Sequence, residues 1–475
     1  MTRTEAYGLY LSGFKPTYRV LLAYHETVQN QQAKINDLEK KLVLARKNPS
    51  TPSGMQAAFT KAIAAENRKN KKKQPKRRRG GRRRAPHKID QTKEYTLTCC
   101  PDCRNPLPPH SGTRERFTED LPVVLPWAIK HIIYRYWCKF CKKIVEAPVT
   151  DALPKSTIGL RVVIYSAWLH YCLCVSFDKI IALLNISARL AISAGGLFGA
   201  WHNLAQILEP LYKQIGKSAK WSAVLHADET GWRVNGRRHW LWCFTNKDLA
   251  YYVIERSRGS PVALKVLGKY FAGILVTDFF SAYNKILALA KQKCLVHLLR
   301  EIIKVNLFDF SPEWKAFRKE LKRFILDGLR LGRQRCELGP ECFGRRKALL
   351  QERLVALYTK SYSNENAQRL SKRLERHHNE ILTFLDHPEV TADNNHAERQ
   401  MKPPAQCRKM SGGNRSKQGA DVLAMLLSIF RTLELRGYNP VSTLLFLVQE
   451  HLRTGKPITL PPPLPSMSIA QRQAV

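Results

Sequence analysis

The chain has 475 residues, 44% of them hydrophobic, enough for about three domains of roughly 150 residues and too apolar for a wholly disordered protein. Lysine and arginine number 79 against 38 aspartates and glutamates, a formal net charge of +41, so a polyanion is expected beside this body, with nucleic acid the first partner and anionic membrane the competitor. No stretch approaches the ~18 apolar residues of a spanning helix, the start lacks the apolar core of a secretion signal, and twelve cysteines are too sparse for a disulfide scaffold; a soluble, cytoplasmic chain without a membrane partner is expected.

Over residues 1–48, Leu21, Val28, Ile35 and Leu42 recur every seven residues, with Tyr24, Gln31, Leu38 and Ala45 three places on. This heptad seam predicts a helix ending before Pro49, either half of a short coiled coil or an amphipathic helix on the protein's own surface. Residues 49–92 form a polar linker. Within it Arg68–Arg84 holds 12 basic residues in 17, including Lys71, Lys72, Lys73, Arg77, Arg78, Arg79, Arg82, Arg83 and Arg84, and cannot build a core. A clamp on phosphates is favoured over a solvated linker, because counterion release on a polyanion offsets the self-repulsion; a nuclear address is the third reading.

Residues 93–150 carry two C-x-x-C pairs, Cys100 with Cys103 and Cys138 with Cys141. Each spacing turns two thiolates onto one ion, and together they suit a closed, structural Zn²⁺ site of the zinc-ribbon kind, with a hairpin from Ile129 to Trp137 between the knuckles. Residues 151–218 read as helices, Arg161–Cys174 and Phe177–Leu184, then a turn at Asn185–Ser187 and a further helix. Ordinary packing and a DNA-reading helix-turn-helix both fit that spacing.

From residue 219 the pattern changes. Ser222–His226 reads as a short strand delivering Asp228, followed by Thr230-Gly231-Trp232 as a turn. Arg238–Thr245 and Leu249–Glu255 read as two more strands, Pro261–Tyr270 as a helix, Gly273–Thr277 as a strand ending on Asp278, Ala282–Ala290 as a helix, and Cys294–His297 as a last strand. The order βββαβαβ is that of ribonuclease H-like domains, in which the first and fourth strands are neighbours, so Asp228 and Asp278 are expected to meet. A third acid belongs on a later helix. Asp393 is an N-cap type of residue, and Glu398 lies within the next two turns, with Pro403 limiting the helix. Hard oxygen ligands converging on a basic chain suit two Mg²⁺ (or Mn²⁺) ions, which need no nucleophilic side chain. Residues 301–390, with Leu349, Leu350, Leu354 and Leu357 at helical spacing, predict an all-α insertion. The expected fold is multidomain α+β: N-terminal coiled coil, zinc ribbon, helical region, a ribonuclease H-like mixed-sheet core in two parts (219–300 and 391–419) around the insertion, and a C-terminal helical domain with tail (420–475).

The runs H-A-D-E-T-G-W-R-V-N-G-R-R-H-W-L-W (226–242), T-D-F-F-S-A-Y-N (277–284), C-L-V-H-L-L-R (294–300) and D-N-N-H-A-E-R-Q-M-K (393–402) together resemble the transposases of the insertion sequence sixty-six family, bacterial DDE transposases. The resemblance covers most of the chain and implies that Asp228, Asp278 and Glu398 are the catalytic triad. It departs from the family at Phe279-Phe280, where Gly-Tyr is usual, and at Leu295-Val296, where Trp or Ala is usual; neither change removes a carboxylate. His297 is either a contact or second ligand shell near the acids or a packed histidine. Arg399, Lys402, Arg408, Lys409 and Arg415 form a second basic region around Ser411–Asn414, suited to gripping DNA or simply to solvent. The expected activity is metal-dependent cleavage at insertion-sequence ends and strand transfer into target DNA, by a nucleoid-associated homodimer or larger assembly, with accessory proteins of the same element as further partners. A nuclease or resolvase without strand transfer and a non-catalytic DNA-binding derivative are the rival readings.

Overall fold

The computed structural model describes residues 23, 25–33, 35–36, 86, 88–120 and 126–465. Leu21, Tyr24, Leu38, Leu42 and Ala45 of the heptad seam, and the whole basic segment Arg68–Arg84, lie outside the described residues. Val28 and Ile35 are helical and exposed. The chain divides after Leu121 into two units, each taken here by itself. In the first, Cys100 and Cys103 lie on a tight turn: the Arg104 amide donates to the Cys100 carbonyl at 2.8 Å, and Arg104 takes a left-handed φ of 61°.

The second unit opens with a hairpin of β1 (Arg135–Cys138) and β2 (Lys143–Glu146). The predicted hairpin over Ile129–Trp137 is thus displaced, because the chain reverses at the second knuckle itself, where Lys142 takes φ 50°. Three helices follow: α1 (Leu160–Tyr171), α2 (Phe177–Ala188) and α3 (Ala194–Lys220). The turn expected at Asn185–Ser187 falls four residues later, where Arg189 ends α2 in the left-handed conformation.

The central sheet contains β3 (Val224–Val234), β4 (Arg237–Thr245), β5 (Ala250–Glu255), β6 (Tyr270–Thr277) and β7 (Leu287–Lys293), in the order β5-β4-β3-β6-β7. β3, β4 and β5 form an antiparallel meander, and β3, β6 and β7 run parallel. The helix α4 (Ser260–Leu267) crosses between β5 and β6. β3 does not stop at Asp228 or turn at Thr230-Gly231-Trp232. Pairing with β4 carries it on to Val234, and the reversal is made by Asn235-Gly236, at φ 48° and 70°, the two positive values a two-residue hairpin requires. The predicted helix Ala282–Ala290 is instead a 3₁₀ turn (Ser281–Lys285) and then β7, since the alternating L-A-L-A-K-Q-K finds a parallel partner in β6 and pairing overrides helix propensity. The run expected as a final strand, Cys294–His297, therefore opens the helix α5 (Leu295–Val305).

Beyond α5 come α6 (Pro312–Arg333), α7 (Pro340–Thr359) and α8 (Glu365–Arg376), the all-helical insertion. Leu350, Leu354 and Leu357 are buried, as their spacing predicts, while Leu349 is exposed. The chain returns through α9 (Asn395–Ser411), α10 (Lys417–Leu435) and α11 (Pro440–Thr454). Two cores result, one on each face of the sheet. Along β6, Leu275 belongs to the core that includes α1, α3, α10 and α11, while its neighbours Ile274 and Val276 belong to the core of the insertion, the two-residue alternation of a strand covered on both sides.

Pro403 does not end α9. A proline inside a helix removes the amide that would bond four residues back. Pro404 leaves the Gln400 carbonyl without its donor, and the buried Tyr252 hydroxyl of β5 donates to that carbonyl at 2.7 Å. The freed group is thus satisfied from the sheet, and the helix continues to Ser411. Tyr252→Phe is expected to lower stability by about 1–3 kcal/mol, the cost of an unsatisfied buried carbonyl, measured by denaturant unfolding; an unchanged midpoint would show that another donor serves Gln400.

Candidate active site

Three segments far apart in sequence bring acids to one end of the sheet. Asp228 stands in the middle of β3, opposite Cys243 of β4. The parallel register with β6 ends at His226↔Val276; Asp228 lies two residues beyond the one and Asp278, the first residue past β6, two beyond the other. Asp278 starts a tight turn, its Oδ1 accepting the Phe280 amide at 2.9 Å. Glu398 lies in the first turn of α9, where the helix dipole favours a negative side chain.

One chain of hydrogen bonds connects these positions. The Asn394 side chain, fully buried, donates from Nδ2 to the Ala227 carbonyl at 2.9 Å, one residue before Asp228. Its Oδ1 then accepts from Nδ1–H of His226 at 3.1 Å. The Asn394 amide donates to Cys294 Sγ at 3.2 Å, and the Cys294 amide donates to the Thr277 carbonyl at 2.9 Å, one residue before Asp278. The Asn394 carbonyl accepts the Glu398 amide at 3.1 Å. Asn394 is the residue that precedes α9, yet its side chain bonds to β3; Asp393 Oδ1 instead takes the Asn395 amide at 3.0 Å.

Charge shows that the acids share a neighbourhood. Burial holds the Asp228 carboxyl well above the usual carboxylate range, and the negative charges of Glu229, Asp278 and Glu398 push it further, against one opposing hydrogen bond from the Glu229 amide. Glu229, absent from the acids chosen on sequence, is itself buried. Its Oε1 accepts from Arg258 Nε and Nη2 at 3.2 and 2.9 Å and its Oε2 from the Tyr283 hydroxyl at 2.7 Å. Burial first, and then Asp278, push its carboxyl up to about 7. The Arg258 guanidinium lies between the rings of Trp240 and Phe280, 4.4 and 4.2 Å from their centroids. Phe280, one of the two residues standing where Gly-Tyr is usual, thus packs against the cation that holds Glu229. Phe279, the other, lies under Arg373.

Two more cations border the acids. Lys293, at the end of β7, is fully buried and donates to Thr277 Oγ1 and to the Asp278 carbonyl, each at 3.1 Å; burial lowers the affinity of its amine for a proton. Arg300 on α5 grips Glu398 with both arms, Nη1 to Oε1 at 2.9 Å and Nη2 to Oε2 at 3.1 Å. His297, one turn earlier on α5 rather than at a strand end, has Nε2 3.8 Å from Glu398 Oε1, while its buried Nδ1 finds no hydrogen-bond partner among the described residues. Arg300 sits three residues beyond His297 in C-L-V-H-L-L-R; only reading that run as a helix puts both on the face turned to Glu398.

The second basic region is not uniform. Arg399, Lys402, Lys409 and Arg415 are exposed, whereas Arg408 is half-buried and donates to Thr230 Oγ1 and the Gly231 carbonyl of β3. Ser411–Asn414 is docked as well: Asn414 Oδ1 accepts from Trp232 Nε1 at 2.7 Å, and a side chain at Gly413, φ 124°, would meet the Arg233 carbonyl at 2.3 Å. In the knuckles, the amides of Cys103 and Asp102 pull the Cys100 thiol below its usual range, and those of Cys141 and Phe140 do the same for Cys138.

Fold and site define a mixed α/β protein whose acids converge at one end of a sheet within a strongly basic chain. Residues 155–422, more than half of the chain and the whole of the sheet, insertion and α9, match the family described as Transposase IS66 family, and the chain belongs to that family. A transposase role follows from this membership. The chain is also 24% identical over 395 residues, 75% of each protein, to the uncharacterized protein y4jD of Sinorhizobium fredii (strain NBRC 101917 / NGR234). No helix among the described residues is long and apolar enough to cross a membrane.

Asn394→Ala removes the bridge between β3 and α9. A loss of about 2–3 kcal/mol is expected from the Ala227 carbonyl and His226 left unsatisfied, read by denaturant unfolding; Asn394→Ala with wild-type stability would mean that packing alone seats α9.

Proposed function

We propose that this protein is a DNA transposase that cuts at the ends of its own insertion sequence and joins the freed 3′-hydroxyl to target DNA. Asp228, Asp278 and Glu398 are its catalytic carboxylates, on a ribonuclease H-like core. The carrying observation is the convergence of these acids from β3, the end of β6 and α9, which raises the proton affinity of Asp228. The strand order β5-β4-β3-β6-β7, with its antiparallel meander joined to a parallel pair, supports the core assignment.

The donor set fits Mg²⁺ or Mn²⁺: hard carboxylate oxygens, with Asp228 pushed toward its neutral form by burial and by the acids beside it. Among the described residues no three His, Cys, Asp or Glu side chains close on a single ion. Asp228, Asp278 and Glu398 are the residues that would hold such ions. When bound, such ions activate water or a 3′-hydroxyl and stabilise the leaving oxygen. The protein's own part is to hold Asp228 and Asp278 level on adjacent strands, and to anchor the turn at Asp278 through Lys293.

Exposed Arg399, Lys402, Lys409 and Arg415 would present positive charge to DNA, and the basic segment Arg68–Arg84 would add to it by its charge alone. Pairing of two copies through the N-terminal heptads and help from accessory proteins of the element belong to the same reading. So does a structural Zn²⁺ on Cys100, Cys103, Cys138 and Cys141. Its support is that each knuckle, by itself, turns amides toward its first sulfur and places a left-handed residue after its second.

Asp228→Asn, Asp278→Asn and Glu398→Gln are each expected to reduce Mg²⁺-dependent nicking of end-containing DNA by about a thousandfold or more, the loss of several kcal/mol of charge stabilisation, while leaving DNA binding intact. Wild-type protein that nicks without joining would favour a nuclease; wild type that never cuts would leave only DNA binding. Elemental analysis is expected to find about one Zn²⁺ per chain, lost in Cys138→Ser with Cys141→Ser; zinc-free native protein would remove the knuckle assignment.

A further inference from the structure

The bidentate pair between Arg300 and Glu398 stands out against the proposed role of Glu398. Both carboxylate oxygens are engaged, at 2.9 and 3.1 Å, by a guanidinium that comes from α5 and is itself half exposed. A carboxylate held in this way offers an ion only oxygens already shared with a guanidinium, whose positive charge competes with the ion's. Glu229, the acid beside Asp228 that also takes two arginine nitrogens, differs: its Arg258 is wedged between two aromatic rings, and its second oxygen is taken by buried Tyr283. Arg300 has no such aromatic cage among the described residues, and its side chain is half exposed.

We propose that Arg300 is a positioning residue that stands in for a divalent cation, holding Glu398 until DNA arrives. An ion that binds Glu398 must displace the guanidinium, so free protein takes up metal weakly. A DNA phosphate offers Arg300 the same planar, two-oxygen geometry as the carboxylate. The guanidinium then exchanges one anion for another, and Glu398 is released to the ion only when substrate is present. This rests on the reading of Glu398 as a metal ligand.

The test is Mn²⁺ binding by the full chain, followed by the loss of the free-ion paramagnetic resonance signal, with no turnover involved. An exposed ion pair is worth up to about 1 kcal/mol, so Arg300→Gln is expected to bind Mn²⁺ about two- to fivefold more tightly than wild type. Arg300→Lys, which keeps the charge but loses the fork, is expected to fall between them. Arg399→Gln removes an equal charge one residue from Glu398, on a side chain whose Nε bonds the Asn395 carbonyl, and is expected to change the affinity less. In a Glu398→Gln background the gain from Arg300→Gln is expected to vanish, the signature of direct coupling. Adding a short mixed-sequence duplex is expected to narrow the gap between wild type and Arg300→Gln.

Equal or weaker Mn²⁺ binding by Arg300→Gln overturns the inference. If Glu398→Gln and Asp228→Asn reduce Mn²⁺ binding while Arg300→Gln leaves it unchanged, the metal site survives and only the role of Arg300 falls. If none of the acids affects Mn²⁺ binding, the metal site falls, and this inference with it.

Discussion

The arrangement depends on one buried amide side chain. Asn394 reaches from the start of α9 to the Ala227 carbonyl, and its own amide reaches Cys294, whose amide bonds Thr277. Through those contacts the residues just before Asp228 and Asp278, and the first turn of the helix bearing Glu398, become parts of a single rigid unit. Buried polar groups of this kind are costly when unpaired, and that cost is what makes the register exact. A helix docked by apolar contacts alone has no comparable reason to stop at one rotation rather than another.

Within that frame the electrostatics are unfavourable by construction. Asp228 is pushed toward its protonated form by burial and by three neighbouring acids, and only one backbone amide opposes this. Cations are supplied unevenly around the cluster. Lys293 lies under the Asp278 turn and is fully buried; Arg258 is caged between Trp240 and Phe280 and serves Glu229; Arg300 is half exposed and serves Glu398. Two of the three are enclosed by the fold, and the third, Arg300, is half exposed while paired with Glu398.

Part of the arrangement was legible in linear order. The acids at 228 and 278 could be picked out because each follows an apolar run, Glu398 because it lies within two turns of an N-cap type of residue, and the long gap before 398 announced a helical insertion whose leucines at 350, 354 and 357 are buried. Less legible were the elements whose identity depends on a neighbour. Leu287–Lys293 has a composition that suits a helix and becomes a strand because β6 lies open beside it. Thr230-Gly231-Trp232 reads as a turn and stays extended because β4 pairs through it. Pro403 reads as a stop, yet the helix runs on through it and Pro404, with Tyr252 supplying from another strand the donor that Pro404 lacks.

The cations of the site were hidden for the same reason. Nothing local distinguishes Arg258, Lys293 or Arg300 among 79 basic residues, and Glu229 looks like a spare acid beside Asp228. Composition, charge and apolar spacing by themselves determined the class of fold, the acids on offer and the preference for a polyanionic partner, because each is a property of residues in order along the chain. Which acid is neutralised, by which cation, and how far a helix or strand extends were decided only in three dimensions, since those outcomes belong to pairs of groups separated by a hundred residues or more and to the burial that their meeting creates.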